Sequence, residues 1–130
     1  MLFRSADMLD RVELVNGDFY KEELPPGHDL VLLSAIIHQS GYEQNEVLYG
    51  KIYRALNPGG RIVIRDHVMS ADRTRPLEGA LFAVNMLAGT AGGRTYTFDE
   101  IKDGLAAAGF SRIKLIQTKG MFSLVEAFKP

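Results

Sequence analysis

Residues 29–37 read DLVLLSAII, and no other stretch restricts the fold as much. The run is too short to span a bilayer, which takes about twenty apolar residues. It lacks the apolar–polar alternation of a strand with one wet face. A short, nearly continuous apolar run is the mark of a strand buried on both faces, as in a parallel sheet covered by helices. Parallel strands need a crossover between them, and EQNEVLYGKIYRAL at 43–56 supplies one, with Val47, Leu48, Ile52, Ala55 and Leu56 at helical spacing. Asn57-Pro58-Gly59-Gly60 ends that helix, since proline cannot continue it and glycine accepts the left-handed turn. RIVIR at 61–65 is the next strand.

The flanking segments extend this layered pattern. VELVN at 12–16 alternates and is rich in β-branched residues, predicting a short strand that ends at Gly17 and Asp18. A loop closed by Pro25, Pro26 and Gly27 follows. A second helix is predicted over 75–88, with Leu77, Leu81, Val84 and Leu87 on one side. GTAGGRTYT is a loop. Thr97 to Glu100 forms a capping box, in which the threonine side chain and the glutamate satisfy each other's backbone amides. That helix runs through LAAA to Gly109. FSRIKLIQT and MFSLVEAFK then predict two strands meeting at Lys119-Gly120 as an antiparallel hairpin. The order of elements indicates an α/β sheet in a single domain over residues 1–130.

Charge and composition narrow the function. Fifteen basic residues against sixteen acidic ones leave a net charge of -1, so no basic excess argues for nucleic acid. The chain has no cysteine, which removes disulfides, thiolate nucleophiles and cysteine-bound zinc. Charges interrupt MLFRSADMLDR too early for a signal-peptide core. The expectation is a cytoplasmic protein that binds neither membrane nor nucleic acid. His28, His38 and His67 show no metal-ligand spacing with acidic partners.

GDF at 17–19, LLSAIIH at 32–38, RALNPGGRIVIRD at 54–66, NML at 85–87, GGRTYT at 92–97 and AAGF at 107–110 together resemble a known family. In this order the set is similar to the C-terminal part of the class I S-adenosylmethionine-dependent O-methyltransferases, the plant and bacterial enzymes that methylate small molecules. The resemblance covers the chain from about residue 10 onward. It implies a partial Rossmann-like methyltransferase sheet, equivalent to the family's strands 3-4-5-7-6, with the C-terminal antiparallel hairpin. It implies S-adenosylmethionine as cofactor and a small-molecule hydroxyl as acceptor. The Pro-Gly-Gly turn is then scaffold, joining a helix to the family's fifth strand.

The same resemblance suggests roles for particular residues. His38 corresponds to the general base of the plant enzymes, and Asp66 to the acidic residue that orients it. Histidine suits the task because its proton affinity lies near neutrality. The alternative for His38 is a locally bonded residue ending a strand. The plant pattern continues with Asp and Trp where this chain has Gln39 and Ser40, and Thr95 stands where a second acidic residue is expected. His67 adjoins Asp66, but strand alternation would point the two apart. Asp18 and Phe19 occupy positions beside adenine, the alternative for Asp18 being an Asx turn. Phe82, Asn85 and Met86 lie on the helix that lines the acceptor pocket, the alternative being simple core. Arg94 either binds an anionic substrate or ties its loop down.

The family's Gly-rich cofactor loop and ribose-binding acid have no counterpart here, since the first glycine is Gly17. This reads as a methyltransferase domain begun at its third strand, active only with an N-terminal segment from elsewhere. The other reading is an inactive fragment serving as a dimeric or accessory module. In the family's strand order, 3-2-1-4-5-7-6, the strand at 29–35 would then have a long unpaired edge, which invites association. The expectation is a homodimer through that edge.

Overall fold

The computed structural model describes residues 7–118 and 120–130. The chain enters the sheet with β1 (His28–Ser34) and makes a 3-10 turn over Ile37–Gln39. Helix α1 (Tyr42–Ala55) leads into β2 (Leu56–Asp66), followed by β3 (Val68–Met69) and α2 (Leu77–Gly89). The short β4 (Tyr96–Thr97) precedes α3 (Phe98–Ala107), and the chain closes with β5 (Ser111–Gln117) and β6 (Ser123–Phe128). The main sheet has four strands in the order β1-β2-β6-β5, and β3 and β4 form a separate parallel pair. β1 and β2 are parallel, with α1 as their crossover, while β6 runs antiparallel to both β2 and β5. The expected hairpin strands are present. Lys119, in the expected turn between them, lies outside the described residues.

One face of the sheet carries the core. Leu33, Ile62, Ile64, Val125 and Ala127 pack against Leu48 and Ile52 of α1 and Ile101 and Leu105 of α3. Truncating any one of the buried isoleucines to alanine costs about 2–5 kcal/mol. α3 starts as the sequence predicts: the Thr97 side chain accepts from the Glu100 amide, and the Thr97 amide donates to Glu100 Oε2 at 2.8 Å.

The Pro-Gly-Gly turn lies inside β2, where the pairing jumps from His28↔Leu56 to Leu30↔Arg61. A Cβ on Gly60 would sit 2.9 Å from the Asn57 carbonyl oxygen and 3.1 Å from that of Asp29, so only glycine lets the two strands close here. Gly59 N donates to the Lys129 carbonyl and Lys129 N to that of Gly60, which ties the turn to the end of the chain. The turn is scaffold.

Three sequence expectations need correction. Residues 12–16 form no strand, because a strand persists only as part of a ladder and none of the described strands pairs with them. β1 is not buried on both faces: Val31 and Leu33 turn to the core, while Leu30 and Leu32 on the other side are 52% and 61% exposed. No described helix covers that side. Finally, α2 forms where expected, but Leu77, Leu81, Val84 and Leu87 are exposed, as is Val47 of α1. Helical periodicity assigned these residues to a common face, and nothing described packs on it.

Candidate active site

The site is built where β1 and β2 end side by side. After Ser34 the chain leaves the sheet through Ala35, held at a left-handed φ of 58°, with its amide donating to the Arg65 carbonyl at 2.8 Å. A non-glycine residue there is unusual and costs energy, so the surrounding bonds must hold it. The following 3-10 turn is anchored by Asn45 Nδ2, which donates to the Ile37 carbonyl at 2.9 Å. A second anchor comes from the GGRTYT loop, where the Arg94 amide donates to the His38 carbonyl at 2.9 Å. The loop can approach this closely because residue 93 is glycine: a Cβ there would lie 2.6 Å from that carbonyl oxygen.

These constraints place the His38 ring beside Asp66, the last residue of β2. His38 Nδ1 lies 2.8 Å from Asp66 Oδ1 and 3.0 Å from Oδ2. The His38 side chain is 10% exposed and that of Asp66 1%. A carboxylate only accepts, so Nδ1–H is the donor, and in the neutral ring this tautomer leaves the lone pair on Nε2. The Asp66 side chain is held in turn by the His67 amide, which donates to Oδ1 at 2.8 Å. His38 opens on a cleft of about 530 Å³ lined also by Tyr20, Ser40, Gln44, Met86 and Thr90. A neutral imidazole with a free nitrogen at such a mouth can take a proton from a bound hydroxyl.

The other sequence-predicted residues divide. Phe82 reaches the pair, its ring edge-on to His38 with centroids 4.8 Å apart. Met86 lines the cleft. Asn85, between them in sequence, is exposed and outside that lining. Asp18 forms the Asx turn: its Oδ1 accepts from the Tyr20 amide at 3.0 Å, and Lys21 Nζ lies 3.3 Å from Oδ2. The backbone bond from Tyr20 is the first cause holding the Asp18 carboxyl below its usual range. Phe19 packs its ring 4.5 Å from that of Tyr20, and both line a second cleft of about 300 Å³ against α1. Buried Lys51 fixes this segment by donating to the Phe19 and Tyr20 carbonyls at 3.1 and 2.9 Å.

Arg94 lays its guanidinium over the Tyr42 ring at 4.5 Å, which ties down the loop. Thr95 is buried, and its carbonyl accepts from Arg73. Among the described residues no cluster of acidic and histidine side chains has metal-binding geometry, and no helix is long and apolar enough to cross a membrane.

Two participants escaped the sequence reading. Tyr20 bonds through its hydroxyl to Ser40 Oγ at 2.8 Å and borders both clefts. Tyr96, pushed up to about 12 mainly by burial, stays protonated and donates to the Ser40 carbonyl. His67 was set apart from Asp66 on the assumption that strand alternation continues. β2 ends at Asp66, so the alternation stops there, and the His67 ring stacks on Phe82 at 4.4 Å, 6.3 Å from His38. The available signal was a histidine just past the carboxyl end of a strand.

An α/β sheet with a carboxylate-bound histidine at the carboxyl ends of its parallel strands belongs to the Rossmann-like folds, where ligands bind at this edge. Residues 2–111 match the O-methyltransferase domain family. The chain belongs to that family, whose cofactor is S-adenosylmethionine. It is 37% identical over 113 residues to 3-hydroxy-5-methyl-1-naphthoate 3-O-methyltransferase of Streptomyces sahachiroi, a match covering 87% of this chain and 32% of that protein. It superposes on an O-methyltransferase family 2 protein from Planctomyces limnophilus, solved with apigenin, at a TM-score of 0.89 and 32% identity, covering 99% and 39% of the two chains. Human N-acetylserotonin methyltransferase in complex with SAM gives 0.85 at 29% identity, covering 92% and 34%. The chain thus spans about a third of the length of the curated relatives it matches.

Proposed function

We propose that this chain is the acceptor-side portion of an S-adenosylmethionine-dependent O-methyltransferase acting on a small-molecule hydroxyl. The His38–Asp66 pair at the mouth of the cleft is the observation that carries this reading. When bound, the cofactor supplies an electrophilic methyl group on a sulfonium sulfur. His38 Nε2 accepts the proton of the acceptor hydroxyl, and Asp66 holds the tautomer and stabilises the imidazolium that results. Phe82 and Met86 form the acceptor wall, while Asn85 would meet an acceptor extending beyond the cleft. Orientation of the hydroxyl contributes most of the acceleration.

The residues present fit one end of the cofactor. The Asp18 side chain is 43% exposed, leaving its carboxylate able to accept from the exocyclic amine of adenine, with Phe19 beside it. A small-molecule acceptor and a cytoplasmic location belong to the same proposal.

The second reading, an inactive dimeric or accessory module, is supported by the outer edge of β1, unpaired among the described residues, and by its exposed leucines. Calorimetric titration with S-adenosylhomocysteine separates the two. The chain would be titrated alone and with the N-terminal two-thirds of the Streptomyces relative. Saturable heat in either case, lost in Asp18→Ala, supports the enzyme reading. No heat in both would leave the accessory module.

A further inference from the structure

His67 is 3% exposed, and the proton transfer proposed for the pair makes no use of its ring. That ring is clamped between two phenylalanines, Phe82 at 4.4 Å and 29° and Phe122 at 4.8 Å and 51°. Phe82 is edge-on to the His38 imidazole, at 90°. The contacts run in series from the hairpin to the pair: Phe122, His67, Phe82, His38. The His67 amide and His38 Nδ1 also share one acceptor, Asp66 Oδ1, each at 2.8 Å. His67 Nδ1 is buried with no hydrogen-bond partner, which costs stability that an apolar ring would not lose. The ring's polar contact is with the Met121 backbone, and its faces meet Phe82 and Phe122.

We propose that His67 is a positioning residue: as a flat wedge between Phe122 and Phe82, it holds Phe82 against the His38 imidazole and so fixes that imidazole on Asp66. The proposal rests on reading His38 and Asp66 as the working pair. His38 has one face of its environment set by the carboxylate and another by the Phe82 edge. If the wedge is removed, Phe82 can retreat into the space left by residue 67, and the imidazole gains a second rotamer away from Asp66. The wedge is a matter of shape, so an aromatic substitute should serve and an aliphatic one should not.

Proton NMR of the full chain tests this without any turnover. The Nδ1–H of His38 should give a downfield, exchange-protected resonance, and its ring protons a cross-relaxation peak to Phe82. His67→Phe should keep both signals. His67→Ala should lose the peak to Phe82 and show at least several-fold faster exchange of the Nδ1 proton. His67→Leu should do the same, and it replaces the alanine variant if that one does not fold. A folded alanine or leucine variant with both signals intact overturns the proposal, as does their loss in His67→Phe. Asp66→Asn separates this from the parent reading. If Asp66→Asn keeps the protected resonance, the pair itself is misread; if it loses the resonance while His67→Ala keeps it, only the role of His67 fails.

Discussion

His38 Nδ1 and Asp66 Oδ1, 28 residues apart in sequence, meet at 2.8 Å, and the His67 amide converges on the same oxygen. One buried carboxylate therefore satisfies two donors from two different segments. Asp66→Ala would orphan both, at roughly 1–3 kcal/mol for each buried donor left without an acceptor. The expected result is a clear drop in the urea midpoint with an unchanged slope. A loss below about 0.5 kcal/mol, the range of ordinary surface substitutions, would contradict the geometry.

Stability should also depend on pH through His67. Burial lowers its proton affinity below the usual 6.5, the nearby Asp66 and a hydrogen bond with the Met121 backbone work against this, and His38 reinforces it. Arg65 lies over the Phe122 ring that packs on His67. Because the folded value is depressed, the unfolded chain binds the proton more readily. The contribution is complete above pH 6.5 and is lost as pH falls toward the folded value. Urea unfolding between about pH 5 and pH 8 should show this decline, and His67→Phe should flatten it.

Features dictated by neighbouring residues were legible in the sequence. The Thr97–Glu100 box depends on a few adjacent side chains and stands as read, whereas the helix before Pro-Gly-Gly ends already at Ala55 and the turn falls inside β2. The His38–Asp66 pairing was implied by the family resemblance: Asp66 ends β2, and His38 lies in the 3-10 turn just past its parallel neighbour β1. Periodicity could place Leu77, Leu81, Val84 and Leu87 on one face, but it carries no information on whether anything covers that face. The same holds for Leu30 and Leu32. VELVN has strand composition, yet a ladder needs a partner. Strand alternation says nothing of the bond from the His67 amide to Asp66 or of its ring stacking on Phe82, since β2 ends at Asp66.

The stretch from the end of α2 into the GGRTYT loop should be intolerant of a side chain at one glycine and indifferent at another. A Cβ on Gly93 would press on the His38 carbonyl oxygen and on Thr90, whereas one on Gly89 meets nothing within 4 Å. Gly93→Ala forces the loop away and weakens the Arg94–His38 bond, a strain worth about 1–3 kcal/mol. Gly89→Ala, at the end of α2, should be neutral or stabilising by up to about 1 kcal/mol. Paired thermal melts check the contrast, and equal effects at the two positions would refute it.

The last prediction concerns association. β1 stands at the end of the sheet order, so its outer edge has unpaired backbone groups among the described residues. Leu30 and Leu32, 52% and 61% exposed, add an apolar face to that edge. Both features favour pairing with another strand, since an exposed apolar edge is prone to it. A second copy of the chain offers the same edge and can close the contact by two-fold symmetry. Light scattering should therefore report a dimer. Leu32→Lys places a charge on the exposed face, where natural sheets use lysine to block such pairing, and should shift the protein to monomer while leaving Leu33 and the core untouched. Hydrogen exchange gives the independent reading: β1 amides should be protected in the dimer and exchange faster in the lysine variant. A wild-type monomer whose β1 amides exchange slowly would sink the idea, because the edge would then be protected by something other than a second copy.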